Sequence, residues 1–492
     1  MKYSKIAKQI VSPRKIMLSC IVMICMSTSL SSHAQTAPVP FGPLPNARQI
    51  EWYHREIIAF FHFGMNTFTN VNEGDGTASP KLFNPTALDC NQWTSVLKNA
   101  GITTAIFVAK HADGFCNWPS AHTNYSVKNS PWKDGKGDVV KEFTDACKTA
   151  GIKAAIYLGP HDRHDSRYGT PDYSDYYAGQ LSELLRNYGP IWEIWWDGAG
   201  ADQLTTAFYT RWADTVRKLQ PNCVVFGTKN SYLFADCRWM GNESGISGDP
   251  CWSTINPSSI REESGHITQL NQGEIDGSAY IPAEADVSIR PSWFYHEEED
   301  AQVKSVAALW DLYFNSVGRN SVLLLNFPPN KQGLISSVDA QRTDSLRYLI
   351  NGTFKTNLAS GAAIKAKHVR GADYQPSNMT DTLETTYYAT SDGYTTDTIT
   401  FDLRGKKTFD VLMLQEMIEL GHRTTGWSVD YSANGKTWMP IPGGVDKQSI
   451  GYKWLLKFKP VTASKLRLRI TAGKACAAIH TFGIYKQPAF AK

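Results

Sequence analysis

From about residue 50 to residue 335 the chain repeats one unit: a helix-like stretch closed by Gly or Pro, then a short apolar run that ends in polar residues. Residues 88–100 lead through Gly101 into Thr103–Ala109, and Asp138–Ala150 lead through Gly151 into Ala154–Leu158. Ser174–Tyr188 lead through Gly189 into Ile191–Trp196, and Thr205–Leu219 lead through Pro221 into Val224–Phe226. Glycine ends a helix because it takes the left-handed conformation without a Cβ penalty. A strand that is apolar on both faces must be covered on both faces, as in a parallel sheet flanked by helices.

With Ile57–Phe61, Cys237–Met240, Tyr280–Ala283 and Ser321–Leu325, the candidate strands number eight. Eight βα units in this length predict an α/β fold, a TIM-like (β/α)8 barrel. Residues 230–290 are the irregular part, without clear helices between strands. The alternative is an open, doubly wound sheet, but no GxGxxG follows the first strand.

After residue 350 the helical spacing ends. Short alternating strands appear at Thr398–Asp402, Val411–Gln415, Gly426–Tyr431, Trp454–Phe458 and Leu466–Ile470, parted by turn signals such as Asn434-Gly435 and Gly443-Gly444. This predicts an all-β sandwich. The expected organisation is a signal peptide over 1–34, the barrel over 35–350, a small and polar linker over 351–367, and the sandwich over 368–492.

The leader reading rests on a basic stretch, an apolar run from Ile16 to Met26, and the small-residue site Ser32-His33-Ala34. The run is about half a bilayer span, and no later segment reads as membrane-spanning, so an exported protein, periplasmic or secreted, is expected. The formal charge of +4 includes five cations and no acid within residues 1–34, which leaves the remainder at −1. Such a chain has no electrostatic footprint for nucleic acid. Seven cysteines follow the leader, without close pairing or a CxxC, so buried thiols are expected rather than a disulfide framework or a structural zinc site.

In a barrel, chemistry lies at the C-terminal ends of the strands. There the sequence places His62, Lys110-His111 with Asp113 and Trp118, His161-Asp162-Arg163-His164, Asp197-Gly198, Asn242-Glu243, Glu284 with Asp286, and Asn326. Asp197 follows an apolar strand ending in Trp195-Trp196, and Gly198-Ala199-Gly200 leave room for a ligand. Paired with Glu243, it supplies the two carboxylates that glycoside hydrolysis needs, one charged and one protonated. A metal cage from His62, His111, His161, His164, Asp162 and Asp197 is a rival reading, although no HExxH occurs. A serine nucleophile lacks its GxSxG elbow.

At these residues the chain resembles the α-L-fucosidases of glycoside hydrolase family 29. The matching pieces are His62-Phe63-Gly64-Met65-Asn66-Thr67, Ala109-Lys110-His111-Ala112-Asp113-Gly114-Phe115 and Trp195-Trp196-Asp197-Gly198-Ala199. Trp239-Met240-Gly241-Asn242-Glu243-Ser244-Gly245 and Leu323-Leu324-Leu325-Asn326-Phe327-Pro328-Pro329 follow in order. The sandwich looks like the galactose-binding-type domain that many members carry.

The resemblance implies a retaining exo-glycosidase that needs no metal or cofactor. Asp197 would be the nucleophile and Glu243 the general acid/base, with Glu284 as the competitor for the second role. His62, His111, Trp118, Asp162, Glu284 and Trp195 would form the substrate-binding set. The expected partner is a fucosylated oligosaccharide or glycoconjugate, with α-1,3/1,4 linkages implied by the position of the Gly-Asn-Glu motif. Two positions depart from the family pattern: Ala112, where a second histidine is common, and His161, where many relatives carry Trp. A glycan-binding protein without catalysis is the reading outside enzymes.

Overall fold

The computed structural model describes residues 36–260 and 267–490; the expected leader lies outside them. Eight parallel strands close a barrel: β1 (Ile57–Phe61), β2 (Thr104–Lys110), β3 (Lys153–Leu158), β4 (Glu193–Trp195), β5 (Val224–Gly227), β6 (Cys237–Trp239), β7 (Ala283–Ser288) and β8 (Val322–Asn326). β1 pairs with both β2 and β8, which closes the ring.

The helices form as their spacing dictates. Over Val139–Ala150, the residues Val139, Val140, Phe143, Ala146 and Cys147 are buried on one face, Asp138 caps the start through Lys141 N, and Gly151 ends the helix at φ +71°. This apolar stripe packs on the outside of the barrel within a cluster that includes Phe61, Phe107 and Ile156. The residues that alternate with these point inward. Ile58, Phe60, Val108, Tyr157, Trp195, Phe226 and Leu324 form a separate cluster that fills the barrel, as in layered barrel interiors.

One strand lies elsewhere than expected. The seventh barrel strand is Ala283–Ser288, not Tyr280–Ala283. Ala279–Tyr280 instead pairs antiparallel with Thr254–Ile255, off the barrel. Glu284 and Asp286 are therefore strand residues, and because alternate side chains share a face they point to the same side at two depths, about 6–7 Å apart along the strand.

The helix Ser337–Phe354 closes the barrel half. β9 (Ala363–Lys365), within the stretch expected as linker, already pairs with a sandwich strand. The rest of the sandwich is β10 (Tyr388–Ala389), β11 (Asp397–Glu416), β12 (Thr424–Ser432), β13 (Met439–Pro440), β14 (Trp454–Gly473) and β15 (Ala478–Tyr485). Four of the five expected strands merge in pairs into β11 and β14. Register shifts between Asp402 and Lys407 and between Phe409 and Val411 mark where the paired strands are irregular, as β-bulges do.

The sandwich packs against the barrel's first helix. Tyr452 stacks on Tyr53 at 4.5 Å, Lys453 pairs with Glu56, and Asn320 Oδ1 accepts Tyr452 N at 2.7 Å. All seven cysteines of the described residues are buried free thiols, and no helix among those residues is long and apolar enough to cross a membrane.

Candidate active site

The strand ends at the mouth of the barrel line a cavity of about 240 Å³, bounded by Phe60, His62, His111, Tyr157, Trp195, Asp197, Glu243, Asp286 and Trp293, with Asn72, Glu73, His161 and Arg163 among the remaining walls. Glu193 and Trp195 alternate on β4, and Asp197, two residues past the end of that strand, lines the same cavity as Trp195. Tyr157 donates to Asp197 Oδ2 at 2.8 Å and Ala199 N donates to Oδ1 at 2.8 Å. Donors aimed at each oxygen stabilise negative charge there. Behind them, Trp195 is stacked between Phe226 (4.0 Å, 8° between planes) and Tyr157 (5.3 Å, 20°), and Tyr157 stacks on His111 (5.7 Å, 11°). Ala199 and Gly200 line the cavity. Gly200, at φ +68°, lies so close to the His161 ring that a Cβ would meet its Nδ1 at 1.9 Å, so no larger residue fits there.

His62 is buried at the end of β1. Its Nδ1 lies 2.9 Å from Asn326 Oδ1, while the Asn326 amide donates to Ser288 Oγ and to the Trp293 carbonyl. That amide bonding fixes Asn326 Oδ1 as the acceptor, so His62 carries its proton on Nδ1 and leaves Nε2 as an acceptor for a hydroxyl. Burial, together with the neighbouring His111, holds the His62 imidazole well below its ordinary value. Burial likewise lowers His111 to about 4. Both rings are therefore neutral near pH 7. His111 Nδ1 is buried without a hydrogen-bond partner, in the wall of the cavity. A register shift between Val108 and Lys110 separates Lys110, which turns outward to Asp162, from His111, which lines the cavity, a re-aiming of neighbours that bulges produce beside active sites.

The second carboxylate comes from the loop after β6. Glu243 lines the cavity and accepts Trp293 Nε1 at 3.1 Å; Trp293 itself lies over His62 at 5.1 Å. Asp286 is the third. It is 3% exposed and accepts Trp239 Nε1 at 3.2 Å. Burial first, then the charges of Glu243, Glu284 and Asp197, pushes its carboxyl well above the ordinary range. A side lobe of about 140 Å³ opens between Trp239, Lys229, Thr228 and the three carboxylates.

Of the residues expected at the site, Asp197, Glu243, His62, His111 and Trp195 meet in the cavity, and Trp118, Asp162 and Glu284 lie outside its walls. Trp118 is buried, with its Nε1 donating to Glu183 at 2.8 Å. The isolated bridges Lys110↔Cys116 and Cys116↔Ser126 fold its segment back on itself behind the strand. Asp162 is a buried ion-pair partner of Lys110 at 2.9 Å and accepts His164 N and Asp165 N, which fixes the loop behind the wall. Glu284 lies one layer below Asp286 and is fully buried.

The residues of the rival metal cage are likewise divided. His62, His111, His161 and Asp197 face the cavity, while Asp162 and His164 are engaged behind it, the latter with the Gly76 carbonyl. Tyr157 and Trp293 were not among the residues expected at the site, and Asp286 was placed at a strand end without a role. Tyr157 and Asp286 carry a legible signal, since each alternates with outward-facing neighbours at the mouth end of a strand. Trp293 lies in a loop that carries none. Ala112 and His161, the two departures from the family pattern, both line the cavity.

A family model described as alpha-L-fucosidase matches residues 41–349, and one described as F5/8 type C domain matches residues 363–482. Alpha-L-fucosidase 1 of Arabidopsis thaliana is 36% identical over 473 residues, which cover 94% of this chain and 92% of that protein. A solved structure from Bacteroides thetaiotaomicron is 60% identical with a TM-score of 0.91, covering 92% of this chain and 100% of the other. A Ruminococcus gnavus glycoside hydrolase family 29 fucosidase, solved in complex with fucose, is 32% identical with a TM-score of 0.83, covering 92% and 97% respectively. On these matches, over a closed barrel with Asp197, Glu243 and Asp286 at its mouth, the chain belongs to the α-L-fucosidases of glycoside hydrolase family 29.

Proposed function

We propose that this α-L-fucosidase is exo-acting and retaining, with Asp197 as nucleophile and Glu243 as general acid/base, and that it releases fucose from α-1,3 and α-1,4 linkages of branched glycans outside the cytoplasm. The observation that carries the reading is that Asp197 and Glu243 face one small cavity in different settings. Asp197 is braced by a phenol and a backbone N–H at 2.8 Å each, whereas Glu243 sits on a loop with one indole donor. A rigid, charge-stabilised carboxylate suits attack on the anomeric carbon. A carboxyl on a loop suits proton delivery to the leaving oxygen and, later, activation of water.

The cavity, at about 240 Å³, is smaller than the ~300–1,000 Å³ of drug-sized sites and favours a single terminal sugar. Neutral His62 and His111 suit hydroxyls, and the side lobe beneath Trp239 offers an apolar face to a branched aglycone. The Gly-Asn-Glu motif around Glu243 and the basic, then apolar, N-terminal stretch support the linkage and the export readings.

The test separates the two carboxylates by product. With a dinitrophenyl fucoside, whose leaving group needs no proton, Glu243→Ala should form the glycosyl-enzyme and stall; azide should restore turnover and give the α-azide. Asp197→Gly should fail on every substrate, losing on the order of 10⁴-fold, and azide should give the β-azide. Aryl-selective survival with the α-azide from Glu284→Ala, rather than Glu243→Ala, would move the acid/base role to Glu284. A panel of α-1,2-, α-1,3-, α-1,4- and α-1,6-fucosylated oligosaccharides tests linkage, and N-terminal sequencing of exported protein, expected to begin near Gln35, tests the leader.

A further inference from the structure

Beneath the cavity the barrel interior holds a second, sealed layer of polar side chains. Glu193 lies two residues below Trp195 on β4, Glu284 two below Asp286 on β7, and Cys237 on β6, the strand paired with β7; all three are buried. One ligand atom from each lies within 4.8 Å of the others. The two glutamates are served unequally. Glu284 accepts Trp195 Nε1 at 2.9 Å on one oxygen and Trp52 Nε1 at 3.2 Å on the other. Glu193 has the Cys237 thiol at 3.7 Å on Oε1, and its buried Oε2 has no partner.

Two ionised carboxylates this close in a sealed interior would repel, and the one with a bare oxygen would carry an uncompensated desolvation cost. The charges that face the pair among the described residues do not relieve this. Asp236, before β6, is already held by Arg48 and Arg217, and Asp286 is one layer above. From β1, β3, β5 and β8 the interior side chains near this depth are apolar: Ile58, Ala155, Val224, Phe226 and Leu324. From the first helix come Trp52 and the amide of Gln49, which donates to the Asp236 and Tyr280 carbonyls. Burial and the Glu284 charge raise Glu193 well above the ordinary range, whereas burial lifts Glu284 to about 7 against the opposing pull of its two indole donors, so Glu284 is the first of the pair to lose its proton.

We propose that Glu284 is a positioning residue of the fucosidase reaction: a proton kept on Glu193 leaves Glu284 as the one anionic acceptor that fixes the Trp195 indole, and through the Trp195–Tyr157 stack the hydroxyl that braces Asp197. The consequence for catalysis rests on Asp197 being the nucleophile. Loss of the Glu193 proton at high pH sets two charges side by side, pushes Glu284 off its indoles and loosens the column Phe226–Trp195–Tyr157.

The test uses the full chain and the dinitrophenyl fucoside, because its first step needs no general acid and the second gains from a deprotonated base, so loss of rate at high pH is not the acid titrating. Wild-type kcat should fall through an alkaline limb. Glu193→Gln, uncharged and still a donor, should remove that limb or move it up by more than one pH unit. Glu284→Gln should lower kcat by roughly 10–10²-fold with a smaller change in KM, because one amide oxygen cannot accept both indoles and small misplacements of reacting groups are costly. An unchanged alkaline limb in Glu193→Gln overturns the proposal, and this variant decides alone if Glu284→Gln does not fold. Stoichiometric zinc in the purified wild type, absent from Glu193→Gln, also overturns it by putting a metal where the proton is placed. If Asp197→Gly keeps its turnover, the nucleophile reading fails on its own and the behaviour of the limb in Glu193→Gln still reports on the pair.

Discussion

In the sandwich, Glu416 gives its two oxygens to three backbone N–H groups, those of Arg423 at 3.1 Å, Thr424 at 2.7 Å and Gly451 at 3.0 Å. Asp430, equally buried, accepts Arg467 and lies against Arg469. In the barrel, Glu193, Glu284 and Asp286 are as deeply buried, yet the donors that reach them are indoles and a thiol. All three are pushed upward, chiefly by burial. The sandwich compensates its buried charge fully, as a structural part must. The barrel leaves its own raised towards the protonated form, and groups perturbed that way in a cleft are candidates for chemistry.

That contrast breaks if the sandwich carboxylates prove dispensable. Glu416→Ala should leave three backbone donors without their acceptor and cost about 3 kcal/mol or more of stability, read by urea unfolding, while the folded fraction keeps its kcat/KM. Next in size is Asp286→Asn. It removes a buried carboxyl beside Asp197 and Glu243 at little cost in stability, and should lower kcat/KM by about 10²-fold through loss of a group that can give up a proton there. A change within threefold would mean that raised barrel carboxyls do not mark the working groups.

The histidines sharpen the comparison through pH. His62 and His111 are depressed by burial, the latter to about 4 from an ordinary 6.5. Below about pH 6.5 the unfolded chain therefore binds protons that the folded barrel still refuses, so stability falls as pH drops, and the part due to His111 is complete once pH passes below about 4. The fall in thermal midpoint between pH 7 and pH 4 should be smaller in His111→Gln than in wild type. An identical fall would place the acid sensitivity outside the site.

Much of this was legible in the sequence, because closing glycines and all-apolar strands are local signals. Gly151, for instance, ends its helix in the left-handed conformation that its position implies. The failures share a cause. Ala283–Ser288 carries acids at two alternate positions, Glu284 and Asp286, because its inward face lies in the polar part of the barrel, so it reads as a loop beyond a strand, and the more apolar Tyr280–Ala283 reads as the strand. In the sandwich, β11 and β14 each run through a bend that interrupts alternation, so each reads as two strands. At the site, Asp197 and Glu243 were legible from their motifs. Tyr157 was marked only by its alternation at the mouth end of β3, and Trp293 was hidden by belonging to a loop whose path depends on the closed barrel.

The smallest effect should come from Trp118, which the family resemblance places beside the sugar. Its indole is 1% exposed and donates to Glu183, a carboxylate that also accepts Ser120 Oγ and Ala121 N at 2.8 Å each. Trp118→Phe removes one of three donors from a partly exposed acid that water can reach, and keeps an aromatic ring in the same packing. The loss should be about 1 kcal/mol of stability, with kcat/KM within threefold of wild type. Trp195→Phe is the matched control: it deletes the indole that Glu284 holds beneath Asp197, so its kcat should fall well beyond that of Trp118→Phe. A tenfold or greater loss of kcat/KM in Trp118→Phe, at unchanged stability, would mean that the segment after β2 swings its indole into the cavity when sugar binds. The boundary between the working mouth of the barrel and its structural wall would then lie on the far side of Trp118.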